Sequence, residues 1–151
     1  TLACSKATLY SVASSRTSLI ETVAVRYFND AGARAEAAAS AQPTPEQAVR
    51  AYLTSISVDL ARASTGFIED LSAQPSTRGL YERNTRFAAR RVSELAAGGR
   101  GTNDPYLQEL VTAVMFHLHN GGFRAAGVDD SEAVGRLAGI LFSGIERTRG
   151  E

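Results

Sequence analysis

The chain has 151 residues with 16 basic and 16 acidic side chains, so overall charge selects neither nucleic acid, membrane nor an acidic substrate, and any DNA-binding surface must be local. The length suits one ordinary domain with a full core and excludes two large ones. Alanine is abundant, Trp is absent and β-branched runs are short, a composition that favours helix over strand. No apolar run approaches the roughly 18 residues that a membrane-spanning helix needs. No charged-then-apolar signal segment opens the chain. The single cysteine, Cys4, has no partner for an internal disulfide, which makes a reducing cytoplasm the expected compartment.

Apolar residues recur at helical spacing in several long segments, and none alternates like a strand. The first segment carries Leu19, Ile20, Val23, Tyr27, Phe28 and Ala31 and runs to about residue 39. Ser14, Ser15 and Ser18 mark its start, with Glu21 placed to complete a capping box on Ser18. Thr44-Pro45-Glu46-Gln47 opens a second helix. Thr44 caps, proline suits the first helical position, and Gln47 reaches back. Val49, Tyr52, Leu53, Ile56 and Leu60 follow on one face. A short segment with Phe67, Ile68 and Leu71 lies between Gly66 and Pro75.

A third long helix is expected from about 76 to 97, with Leu80, Phe87, Val92 and Leu95 as its apolar stripe. Arg83, Arg86, Arg90 and Arg91 lie mostly off that stripe, near Glu82 and Glu94, and read as a solvated face. Gly98-Gly99 stops the helix. Asp104-Pro105 opens the fourth, which carries Leu107, Leu110, Val111, Val114, Met115 and Leu118. Gly121-Gly122 weakens its end. Asp129 with Glu132 opens a fifth, whose stripe is Val134, Leu137, Ala138, Leu141, Phe142 and Ile145. The fold expected is all-α, a helical bundle of antiparallel neighbours joined by short loops.

Before the first long helix, Ser5 caps a turn and a half over residues 6–10. That segment is too short to stand alone, and its supporting neighbours are expected upstream of Thr1. The order Ala3-Cys4-Ser5, Thr8-Leu9-Tyr10, Tyr10-Ser11-Val12, Ser15-Arg16 and Leu19 resembles the recognition helix of the TetR family of transcription regulators. The family has a Gly-Val-Ser turn, a Thr-Leu-Tyr, a Tyr-x-Phe, a Ser-Lys pair and a leucine at the same spacing. Ala3, Cys4, Val12 and Arg16 depart from it, and only the last departure keeps the character of the residue it replaces. The match covers residues 2–20; beyond them the resemblance is one of architecture.

The resemblance implies a TetR-like bundle in two parts. Residues 1–20 are the remnant of a helix-turn-helix DNA-binding domain, and 21–151 an effector-binding and dimerisation domain. Chemistry points the same way for Ser5, Lys6, Thr8, Tyr10 and Arg16. A helix start offers free N–H groups and positive charge to phosphate, and the hydroxyls reach phosphate or a base edge. An ordinary capped surface turn is the competing reading. Cys4 reads as a small packing residue rather than a redox sensor.

Tyr52, Ile56, Phe67, Phe87, Met115 and His119 combine apolar surface with polar tips and are the candidates for an effector cavity, against plain core packing. A moderately sized, largely apolar effector is expected. Gly135, Gly139 and Ser143 recur every four residues and leave a shallow strip for a second helix. With Leu110, Val114, Leu118 and Phe142 they form the expected homodimer face, against close packing within one subunit.

His117 and His119 sit two apart on a helix and make a poor metal pair. The chain has no glycine-rich phosphate loop, His-Glu-x-x-His, paired cysteines or nucleophile elbow, so no metal, cofactor or catalytic residue is expected. The function expected is an effector-controlled DNA-binding regulator acting on a double-stranded operator as a homodimer. The family's habit makes it a repressor. A helical protein-binding or scaffold module without DNA function is the alternative.

Overall fold

The computed structural model describes residues 13–63, 65–98 and 105–149, apart from the side chains of 65, 68, 69, 72, 119, 131 and 143–149. Ser5, Lys6, Thr8 and Tyr10 lie outside the described residues. The described residues fold as helices α1 (Arg16–Ser40), α2 (Pro45–Arg62), α3 (Thr65–Ala73), α4 (Pro75–Ala96), α5 (Pro105–His119), α6 (Gly122–Ala125) and α7 (Asp130–Arg149), with no strand among them.

The local signals act mostly as their chemistry dictates. Thr44 caps α2, accepting from the Gln47 N–H at 3.3 Å while its hydroxyl donates to Gln47 Oε1 at 3.0 Å. Asp129 Oδ1 accepts from the Glu132 N–H at the start of α7. Gly98 ends the turn after α4 at φ 63°, in the left-handed region where a Cβ is penalised.

Two expectations need correction. The cap of α1 is Ser15, whose hydroxyl accepts from the Ser18 N–H at 3.1 Å, so Ser18 supplies the third-residue donor instead of capping. At Gly121-Gly122 the chain does more than weaken a helix. Gly121 turns left-handed at φ 67°, and α6 follows as a separate short helix. The positive φ redirects the backbone, so the helical pattern restarts on a new axis.

Helix α2 is central, packed against α1, α4 and α7, and α4 packs in turn on α1, α3 and α5. Between them lies the main core, built of Val49, Leu53, Val92, Val111, Val134 and Leu141 with Tyr52 and Met115. Alanines at 35, 39, 48, 88, 89, 96 and 138 belong to the same cluster. Their small side chains let helix axes approach closely, and removing this apolar surface from water is what holds the bundle together. A second cluster joins α1, α3 and α4 through Ala24, Phe28 and Leu71, flanked by Tyr27, Phe67, Leu80 and Tyr81. The buried Thr77 hydroxyl donates to the Leu71 carbonyl at 2.9 Å and ties α3 to α4. Among the described residues no helix is long and apolar enough to cross a membrane.

Candidate ligand cavity

A cavity of about 380 Å³ opens where α1, α2, α4 and α5 meet. Helix α1 supplies one wall, from Tyr27 and Phe28 through Gly32 to Glu36. Tyr52, Ile56, Asp59 and Leu60 of α2 face it, Asn84, Thr85, Phe87 and Ala88 of α4 close one side, and Met115 of α5 completes the lining. The α2 set follows from helical spacing: 52, 56, 59 and 60 share a face. A Cβ built on Gly32 meets nothing within 4 Å, so this stretch of wall is left open.

The lining is aromatic and aliphatic with a few polar groups, the usual composition of a small-molecule site. Two ion pairs border it. Arg34 Nε binds both Asp59 oxygens, at 3.2 and 3.0 Å, and Asp59 is buried. Arg91 grips Glu36 through Nε at 2.7 Å and Nη2 at 3.0 Å, and reaches Glu94 with Nη1 at 3.1 Å. These charge-assisted pairs fasten α1 to α2 and to α4.

Burial, aided by the charge of Glu36, pushes the Tyr52 hydroxyl up to about 12. Tyr27 is also pushed up to about 12, first by burial and then by Asp59, with Arg34 opposing. Both phenols therefore stay protonated at neutral pH. The Tyr27 oxygen is buried without a hydrogen-bond partner. Tyr27 and Asp59 also border an adjoining groove of about 460 Å³ lined by Val23, Arg34, Arg62, Ala63 and Phe67.

Of the residues expected around an effector, Tyr52, Ile56, Phe87 and Met115 line the cavity. Phe67 lines the adjoining groove instead, because α3 packs beside the outer part of α1. The His119 side chain lies outside the described residues. Sequence reading missed the α1 wall and the polar groups Asn84, Thr85, Glu36 and Asp59. The signal available was opposite charge: Arg34 and Glu36 on one helix, Asp59 and Arg91 on two others. Which acid meets which base is settled only when the helices pack. Arg91, expected on a solvated face, is half-buried against Glu36.

Of the expected dimer residues, Leu110, Val114 and Phe142 are half-buried against the core. Leu118 sits 3% exposed within that core, which leaves it no surface for a second subunit. Gly135 faces Arg50 of the same chain, whose Nη1 stands 3.4 Å from a built Cβ, whereas Gly139 borders open space. The Ser143 side chain lies outside the described residues. Ile140 and Tyr106 are strongly exposed, at 64% and 78%. Arg16 is exposed too, with a 3.4 Å contact to Asp70. Such a surface pair is weak enough to leave its charge open to competition.

No family model, curated protein or solved structure matches this chain.

Proposed function

We propose that the chain is the effector-binding and dimerising part of a DNA-binding transcription regulator of TetR type, acting as a repressor whose operator affinity is set by a small, largely apolar effector. The observation that carries this reading is the cavity's use of α1. The helix that begins at Arg16, within the segment resembling a recognition helix, also forms the cavity wall from Tyr27 to Glu36. A straight helix spans about 1.5 Å per residue, so an effector touching that wall acts about 15–30 Å from Arg16 along one rod.

The mechanism is a population shift. In a dimer, two recognition helices about 34 Å apart enter successive major grooves. An effector that prefers a different tilt of α1 disfavours that spacing, and linkage makes DNA weaken effector binding by the same factor. Support for pairing comes from α7, where Ile140 is exposed and Gly139 borders open space.

The exposed apolar side chains of Tyr106 on α5 and Ile140 on α7 also favour a second reading, a helical module that docks another protein. One experiment separates the two. The native-length protein is titrated onto DNA from upstream of its own gene across a salt series. The regulator binds selectively, weakens steeply with salt, and loses affinity when effector is added. A protein that ignores DNA at low salt, with and without effector, is the docking module.

A further inference from the structure

The two ion pairs that fasten α1 share one asymmetry. Arg34 of α1 pairs with Asp59 of α2, and Glu36 of α1 pairs with Arg91 of α4. In both pairs the acidic residue lines the cavity and the arginine does not; Arg34 instead lines the adjoining groove, which Asp59 also borders. Among the described residues the lining holds no Lys, Arg or His. Four aromatic residues, Tyr27, Phe28, Tyr52 and Phe87, are also among the lining. Ring faces carry negative electrostatic potential and attract cations, as carboxylates do, and both repel anions. Phe87 already holds the Arg90 guanidinium 5.2 Å from its ring centre.

We propose that the cavity takes an apolar organic cation, and that this cation competes with Arg34 and Arg91 for the carboxylates of Asp59 and Glu36. The proposal rests on reading the cavity as the effector site and names the effector's chemical class. It also supplies the link to α1. The groups that would bind the cation are the same groups that hold α1 against α2 and α4. Occupancy weakens both fastenings at once, and α1 gains freedom to tilt.

The test is calorimetric titration of the intact chain with three probes of related shape: tetraphenylphosphonium, tetraphenylborate and the neutral triphenylphosphine oxide. The phosphonium is expected to bind at least about tenfold tighter than either of the others. Glu36→Gln should weaken the phosphonium by about fivefold and leave the oxide unchanged. Glu94→Gln removes a charge from the same Arg91 but not from the cavity wall, and should change phosphonium affinity by less than about twofold. Arg91→Ala frees Glu36 from its competitor and should tighten the phosphonium by about fivefold.

Borate or oxide binding as tightly as phosphonium overturns the cationic class while leaving an effector cavity in place. Absence of binding by all three at millimolar concentration counts against the effector cavity itself. Equal effects of the Glu36 and Glu94 variants would locate the charge sensitivity outside the cavity and sink the proposal. An unchanged affinity in Arg91→Ala overturns the competition. The three-probe comparison on the unaltered chain stands even if a variant fails to fold.

Discussion

The cluster between α2, α4, α5 and α7 and the cluster between α1, α3 and α4 are both apolar, yet they differ in side-chain type. The first is mainly aliphatic, with Val49, Leu53, Val92, Val111 and Val134 close to fully buried and alanines between them. The second is aromatic. Tyr27 meets Phe28 and Phe67 edge-on at 5.4 and 5.3 Å, and Phe28 lies 6.3 Å from Tyr81. Branched aliphatic chains and alanines interdigitate between close helices and leave little space. Rings meeting edge to face keep their centres several ångströms apart and leave gaps where helices diverge. The cavity sits on the border of the two, with Tyr52 and Met115 from the first cluster and Tyr27 and Phe28 from the second. Tight packing is therefore concentrated in one cluster, and the cavity opens towards the other.

The strongest way to break this comparison is Leu53→Ala in the aliphatic cluster, where the side chain is 1% exposed. The expected loss is about 2–5 kcal/mol, read from the urea midpoint. A smaller cost would mean that the first cluster is not the stabilising one. Next comes alkaline pH. The Tyr52 hydroxyl ionises near 10.0 in the unfolded chain and at about 12 in the fold. Its raised value contributes stability that is fully present below pH 10 and is lost as pH rises towards 12, because the unfolded chain releases its proton first. The loss from Tyr52 alone should be about 2–3 kcal/mol, and Tyr52→Phe should remove that share while leaving the share of Tyr27, whose hydroxyl is also pushed up to about 12.

The remaining two changes probe the cavity border. Tyr27→Phe removes a buried oxygen that has no partner, so it is expected to raise the melting temperature, by the equivalent of up to about 1 kcal/mol. A fall of that size would show that the hydroxyl bonds to something, water included. Phe87→Ala is the smallest. The ring is 51% exposed at the cavity, so its loss should cost about 0.5 kcal/mol in stability while weakening phosphonium binding in calorimetry. A cost as large as that of Leu53→Ala would make Phe87 a core residue and erase the contrast.

The order of elements was legible in the sequence because their signals are local. Thr44 and Pro45 open α2 through the chemistry of three or four adjacent residues, and Gly98 closes the turn after α4 through its own φ. Periodicity marked the face of α2 that carries Tyr52 and Ile56, and those two residues do reach the cavity. Rotation about a helix axis was less legible. Leu118 follows the same stripe as Leu110 and Val114, yet packing turns it fully inward.

What the sequence determined by itself was an all-helical chain, its helix starts and stops, and the apolar stripe of each helix. All of these depend on interactions between residues at most a few positions apart. Only the tertiary structure decided that Arg34 meets Asp59 and that Arg91, 55 positions from Glu36, holds it with two hydrogen bonds. Only the tertiary structure brought both acidic residues to one cavity, Glu36 from the α1 wall and Asp59 from the facing side of α2. The reason is physical: a charge attracts every opposite charge within reach, and packing of the apolar faces selects which ones come within 3 Å.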